Sequence, residues 1–222
     1  MDINSKIKHF QNYLQSSNCR LVAVSKTKPN ADILEAYDSG QRIFGENKVQ
    51  ELTTKYEGLP KDIEWHMIGH LQRNKVKYIA PFVSLIHSID SLKLLKEVEK
   101  QGNKVGKTIN CLLQVFIADE NTKFGLDESE LMELIHHPEV GSMKHVKIKG
   151  LMGMATFTDN KEKIRQEFKK LKSVFDRISD EDLPSHIEMK ELSMGMSGDY
   201  DIAREEGSTL IRLGSSIFGA RN

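Results

Sequence analysis

Cysteine is nearly absent from this 222-residue chain: Cys19 and Cys111 are the two present. They lie far apart and lack the spacing of a metal-binding pair, which excludes a disulfide scaffold and a zinc knuckle. They read as ordinary thiols of a reducing compartment. Net charge is missing too, because 32 Lys and Arg balance 32 Asp and Glu. That balance implies no basic face and argues against nucleic acid as a partner. No stretch approaches the ~20 apolar residues of a membrane span. The opening Met1-Asp2-Ile3-Asn4-Ser5-Lys6 has no apolar core of a signal peptide. With only five prolines there is no Pro/Gly/Ser-rich linker, and no internal repeat aligns. These absences point to a soluble, cytoplasmic chain folded as a single domain over 1–222, long enough for a substantial core.

What is present is an alternation. Ile3, Ile7, Phe10 and Leu14 recur at helical spacing and predict an amphipathic N-terminal helix. Leu21 to Ser25 is an apolar, valine-rich strand. A helix follows from Pro29, with Ile33, Leu34 and Tyr37 facing inward and Gly40 closing it. Further strands are expected at 42–44, 64–68, 82–89, 110–117 (the longest apolar one), 146–155, 191–196 and 209–213. Helices are expected at 47–56, from Gly69 through Lys75, from Asp90-Ser91 to Glu99, at 127–136, 161–178 and 199–206. In the penultimate helix Ile164, Phe168, Leu171, Phe175 and Ile178 form one apolar stripe. About eight strands, each followed by a helix or helical turn over short connections, predict a single (β/α)₈ TIM barrel with an added N-terminal helix. An open doubly wound sheet is the rival, and its G-x-G-x-x-G fingerprint after the first strand is absent.

A barrel of this kind places its active pocket at the C-terminal ends of the strands. Those ends read Lys26, Asn47, His66, His87, Met154, Ser193, Ser197, Arg212, Gly214 and Ser215. The last loops, Met196-Ser197-Gly198-Asp199 and Arg212-Leu213-Gly214-Ser215-Ser216, supply small residues and hydroxyls where this fold prefers to cradle phosphate. Such residues also make plain turns and caps, and a lysine at a strand end is ordinarily solvated. Together they form a recognisable device. A Schiff-base lysine faces a phosphate cradle, as in a pyridoxal phosphate site. Arg212 fits between them against the pyridine nitrogen. A guanidinium only donates, so it leaves that nitrogen unprotonated and supports carbanion chemistry weakly. His66 and His70 have metal-pair spacing, but one ends a strand and the other starts a helix, so they would not share a face. Glu46 and Glu51 read as helix-start charges rather than an acid/base pair. Met152, Met154, Met194 and Met196 alternate along two strands and read as core or pocket lining.

Long motifs then add a resemblance that covers essentially the whole chain. They are Ala23-Val24-Ser25-Lys26-Thr27, Phe44-Gly45-Glu46-Asn47-Lys48-Val49-Gln50-Glu51, Trp65-His66-Met67-Ile68-Gly69-His70-Leu71-Gln72-Arg73-Asn74-Lys75, Lys123-Phe124-Gly125, Glu191-Leu192-Ser193-Met194-Gly195-Met196-Ser197 and Ile211-Arg212-Leu213-Gly214-Ser215-Ser216-Ile217-Phe218-Gly219. The chain resembles the pyridoxal phosphate homeostasis protein family, single-domain relatives of the alanine racemase N-terminal barrel. The resemblance implies pyridoxal 5′-phosphate held as a Schiff base on Lys26, in a protein that balances vitamin B6 and amino-acid pools. It places Asn47 near the ring, Arg212 at the ring nitrogen, and Ser197, Gly198, Gly214 and Ser215 around the phosphate. No metal is implied. The family commonly has threonine where Ser215 stands and often phenylalanine where Met67 stands.

Three functions stay open. The first is a cofactor carrier without turnover, with the cofactor itself and PLP-dependent apoenzymes as partners, working as a monomer. The second is a small racemase-like enzyme acting on amino acids, with Tyr200 or a pocket histidine as its acid. The third is a phosphate-binding barrel enzyme using Lys26 as an aldolase-type Schiff base. The chain runs only nine residues past Leu213 and shows no second base on the other face of the cofactor, which favours the carrier.

Overall fold

A computed structural model describes residues 2–118 and 124–219. Lys123 of the Lys123-Phe124-Gly125 motif and the end of the tail lie outside the described residues. An opening helix, α1 (Ile3–Leu14), is capped by Asp2, whose carboxylate accepts from Ser5 N. Eight strands follow in order: β1 (Arg20–Val24), β2 (Ile43–Glu46), β3 (Glu64–Met67), β4 (Leu85–Ile89), β5 (Ile109–Gln114), β6 (Val146–Met152), β7 (Ile187–Ser193) and β8 (Leu210–Leu213). Between them run α2 (Asn30–Asp38), α3 (Val49–Gly58), α4 (Val76–Ile79), α5 (Leu92–Val105), α6 (Glu128–Ile135), α7 (Pro138–Gly141), α8 (Lys161–Ser179) and α9 (Tyr200–Glu205). One helical turn, α10 (Ser215–Phe218), follows the last strand. Each strand pairs in parallel with the next, and β8 pairs with β1 from Arg20↔Leu210 to Ala23↔Leu213, closing the barrel. The expected TIM barrel with its extra N-terminal helix is the fold observed.

Several boundaries differ from expectation. Gly69–Lys75 does not open a helix. That segment bends at Gly69 and has no regular structure until a 3₁₀ turn at Arg73–Lys75 leads into the short α4. The Ser91-capped α5 runs on to Val105 and ends at Gly106, left-handed at φ 67°. The longest strands are β6 and β7, each one residue longer than β5. β7 begins at Ile187, where alternating charged residues hide the strand. Leu34 faces out at 38% exposure. On α2 the buried positions are Ile33 and Ala36, three apart, and Leu34 falls off that stripe. All five stripe residues of α8 are buried as expected.

The barrel interior is layered, as the alternation of strand side chains requires. Val22, Ile43, Leu85, Leu112, Met152 and Leu210 form a separate apolar cluster across it. Above that plug lies a polar layer from His66, His87, Ser193 and Arg212, all buried. The main core, including Phe44, Trp65 and Phe168, packs between the barrel and its helices.

Candidate functional site

At the C-terminal ends of the strands opens a cleft of about 710 Å³, a size suited to a cofactor. Lys26, Asn47, Ser197, Gly198, Arg212, Gly214 and Ser215 all line it. They arrive from four places in the sequence, after β1, after β2, after β7 and at the end of β8, so closure of the barrel is what assembles them. Lys26 follows β1 and shares the lining with Val24, two residues earlier on the same side of the chain. Asn47 follows β2, and Gly69 lets the neighbouring loop pass against it. A Cβ on Gly69 would lie 2.4 Å from the Asn47 carbonyl oxygen and 2.7 Å from its Cα.

The loop after β7 turns at Gly195 with φ 98°, where a Cβ would come within 2.5 Å of Ala203 Cβ. This turn swings Met196, Ser197, Gly198 and Asp199 over the cleft. Open space surrounds the position a Gly198 Cβ would take, and Ser216 N donates to Ser197 Oγ at 3.4 Å, tying the two final loops together. The Asp199 carboxylate accepts from Met196 N, and burial raises its pKa while the nearby Arg212 charge acts the other way.

Arg212 is the only charged member of the polar layer. One guanidinium nitrogen donates to Ser193 Oγ, and the other terminal nitrogen donates to Gly153 O at 3.1 Å. Behind Ser193 the chain continues: His87 Nδ1 is 2.9 Å from Ser193 Oγ, and His87 Nε2 is 2.9 Å from His66 Nδ1. Because arginine only donates, Ser193 must accept from it. Among the described residues the Ser193 hydroxyl has no acceptor other than His87 Nδ1. That assigns the His87 proton to Nε2, from which it donates to His66. Burial keeps both rings neutral: it drives His66 down to about 3 and His87 well below the ordinary value, where the neighbouring charges push the same way. Burial also lowers Arg212 to about 10, opposed by Asp199, so it remains a cation at neutral pH.

His66, His87 and Ser193, expected among the pocket residues at strand ends, therefore lie one layer deeper and hold Arg212 from below. His70 lines the cleft and lies 3.4 Å from Asp90 Oδ2, so the two spaced histidines face different surroundings. Tyr200 packs edge-on against Phe10 and Tyr13 at ring separations of 5.4 and 5.7 Å, away from the cleft lining. Glu46 is not a helix-start charge. It is fully buried in an ion pair with Lys55 at 2.7 Å. Sequence reasoning missed the outer rim: Lys28, Gln114, Phe124 and the Thr156-Phe157-Thr158-Asp159 loop after β6 also line the cleft. The exposed Phe157, placed between two threonines in a polar loop, was the available signal.

The residues present fit a phosphorylated aldehyde cofactor. A cleft of matching size presents a lysine on one side and a buried guanidinium at its floor. Two small-residue loops leave room on the other side, with open space at Gly198.

A closed (β/α)₈ barrel with this lysine and arginine at its open end defines a class of protein. The profile of the alanine racemase N-terminal domain family matches residues 2–222. An alanine racemase from Bartonella henselae shares the fold, with a TM-score of 0.71 at 17% identity, and the chain covers 60% of it. Within that class, the chain belongs to the pyridoxal phosphate homeostasis protein family. The Aquifex aeolicus protein of that name is 40% identical over 209 residues, covering 93% of this chain and 90% of the relative. PipY of Synechococcus elongatus, solved with PLP bound, superposes with a TM-score of 0.87 at 33% identity, over 98% of this chain and 100% of that one.

Proposed function

We propose that this chain binds pyridoxal 5′-phosphate in the cleft, bonded to Lys26, and serves vitamin B6 and amino-acid homeostasis without turnover of its own. The observation that carries this reading is the convergence of Lys26, Asn47, Ser197, Gly198, Arg212, Gly214 and Ser215 on one cleft. The cofactor supplies an aldehyde. The Lys26 amine condenses with it and releases water. Ser197, Gly198, Gly214 and Ser215 hold the phosphate, with hydroxyls and backbone N–H groups as donors. Asn47 lies beside the ring. Arg212 meets the ring nitrogen as a donor, so that nitrogen stays unprotonated and the ring is a poor electron sink.

The carrier reading is supported by the neutral histidines. His66 and His87 are locked beneath Arg212 and deliver no proton to the cleft. The alternative, a small racemase-like enzyme acting on amino acids, has one specific observation in its favour: His70 lines the cleft and could act as an acid. Buried, unpaired Cys19 and Cys111 agree with a cytoplasmic setting. Among the described residues no helix is long and apolar enough to cross a membrane. A monomer that hands the cofactor to PLP-dependent apoenzymes is the arrangement we propose.

The visible spectrum before and after borohydride, with the modified peptide mapped, tests the reading. The purified protein is expected to be yellow and to gain the cofactor's mass on the Lys26 peptide. Lys26→Ala is expected to lose the colour and keep phosphate affinity. Mass on another lysine would refute the assignment. Exchange of the α-hydrogen of alanine at enzyme-like rates would favour the racemase-like reading.

A further inference from the structure

The turn that carries Lys26 is held in a strained shape from behind. Lys28 N donates to Ser25 O at 3.0 Å, closing a four-residue turn with Lys26 and Thr27 at its centre. Thr27 is left-handed, with φ 65°, and is the one non-glycine residue with positive φ among those described. Glycine is usual at that place in such a turn, and a β-branched residue there is an outlier. A conformation of this kind persists only where its surroundings over-determine it.

Those surroundings are a cluster of charges. Thr27 N donates to Glu51 Oε1 at 2.6 Å. Ser25 Oγ donates to Glu46 Oε1 at 2.6 Å. The Lys55 ammonium joins the two carboxylates, at 2.7 Å from Glu46 Oε1 and 2.7 Å from Glu51 Oε1, and reaches Ser25 O at 2.7 Å. An ammonium has three N–H donors, and these acceptors take all of them. The residues on both sides of Lys26 are thus each bound to one carboxylate. Val24 and Lys26 line the cleft, whereas Ser25, Glu46 and Lys55 are buried on the α3 side of the strands.

We propose that Glu46, Lys55 and Glu51 are positioning residues: a clamp that holds the left-handed turn at Thr27 and so fixes the direction in which Lys26 enters the cleft. The proposal rests on the cofactor reading above. It also explains why Lys55, which meets the same turn, does not enter the cleft. Lys55 is occupied by three acceptors on the far side of the strand.

Glu51 is partly exposed, at 24% of its side chain, which makes it the least disruptive member to change. In ligand-free Glu51→Ala, hydrogen exchange at the Thr27 amide is expected to accelerate about tenfold or more, the effect of losing a bond to a charged group. Bond formation is read as borohydride-trapped mass on Lys26 against pyridoxal 5′-phosphate concentration. Its midpoint is expected to rise about tenfold, while affinity for pyridoxine 5′-phosphate, which has no aldehyde, changes less than about twofold. Thr27→Gly removes the strain that the clamp opposes without touching the charges, so added to Glu51→Ala it is expected to bring the trapping midpoint most of the way back, with no loss of thermal midpoint. A clamp that merely supported the fold would weaken both ligands alike, and that result, or no change for either ligand, overturns the proposal. Wild-type protein that binds pyridoxine 5′-phosphate yet traps no mass on Lys26 overturns the Schiff-base reading and the aim argued from it. The exchange rate at Thr27 still reports separately whether Glu51 holds the turn.

Discussion

Two buried polar chains run behind the same cleft, and they follow opposite electrostatic plans. The inner chain, His66–His87–Ser193–Arg212, passes neutral groups from strand to strand inside the barrel and ends in one cation. The outer chain, Ser25–Glu46–Lys55–Glu51–Thr27, spans the strands and α3 and contains three charges. On the proposed reading the inner chain must orient Arg212 without neutralising it, because its charge would then face the cofactor. A serine and two neutral imidazoles do that at little electrostatic cost. The outer chain must oppose a strained backbone, and charge-assisted hydrogen bonds are about twice as strong as neutral ones. The difference also tells which chain tolerates damage. Removing one partner from a buried ion pair strands a charge, whereas removing one link of a neutral chain strands a dipole.

The largest effect is therefore expected from Lys55→Met. Glu46 is completely buried and, among the described residues, one of its carboxylate oxygens has no hydrogen-bond partner, so losing the ammonium is expected to cost about 3–5 kcal/mol in urea unfolding. Glu46→Leu combined with Lys55→Met is expected to recover much of that loss. A double variant as unstable as the single would show that the pair itself, and not the stranded carboxylate, matters.

Acid separates the two chains by sign. An unfolded histidine takes up its proton near pH 6.5, while burial holds folded His66 down to about 3 and His87 well below its ordinary value. Between those values the unfolded chain holds more protons, so stability falls as pH falls. For two such rings the loss between pH 7 and pH 5 is about 4 kcal/mol. Burial raises Glu46 instead, with Lys55 and Ser25 opposing the shift, so acid relieves a cost in the outer chain. Urea midpoints of the Glu46→Leu/Lys55→Met double variant, which lacks the opposing carboxylate, isolate the rings, and stability flat from pH 7 to pH 5 in that variant would mean they protonate in place.

Ser193→Ala is the milder cut to the inner chain. It leaves an Arg212 N–H and His87 Nδ1 unmatched and is expected to cost about 1–3 kcal/mol. The smallest effect is expected for Ser215→Thr, at an exposed position of the cradle, within about 0.5 kcal/mol in stability. The branched side chain narrows the hydroxyl's rotamers, and phosphate affinity read by calorimetry is expected to hold or tighten slightly.

The barrel was legible in the sequence because seven of its strands are short apolar runs separated by helical periodicity. That Lys26 and Arg212 would line one cleft was legible because this fold gathers strand ends, with no distance needed. β7 was misjudged at its start because Glu188, Lys190 and Glu191 interrupt its apolar pattern, and Glu188 is satisfied by Lys147, Lys149 and Lys190. The outer clamp was passed over although a signal existed. Lys55 is three residues beyond the buried Leu52 on α3 and shares its stripe, and Glu46 has the parity of core residue Phe44 on β2. Charged residues at core positions imply a partner, but linear order does not say which. The depth of His66 and His87 was likewise hidden, since being near a strand end does not reveal which layer of the barrel a ring occupies.

The plug formed by Val22, Ile43, Leu85, Leu112, Met152 and Leu210 makes the barrel a cup and not a tube. Anything taken in must depart by the doorway it came through, past Phe124, Met154 and Phe157, each at least 39% exposed. Residence time is then a property of the rim, and changes to the floor would alter how firmly cargo is gripped without opening a second exit.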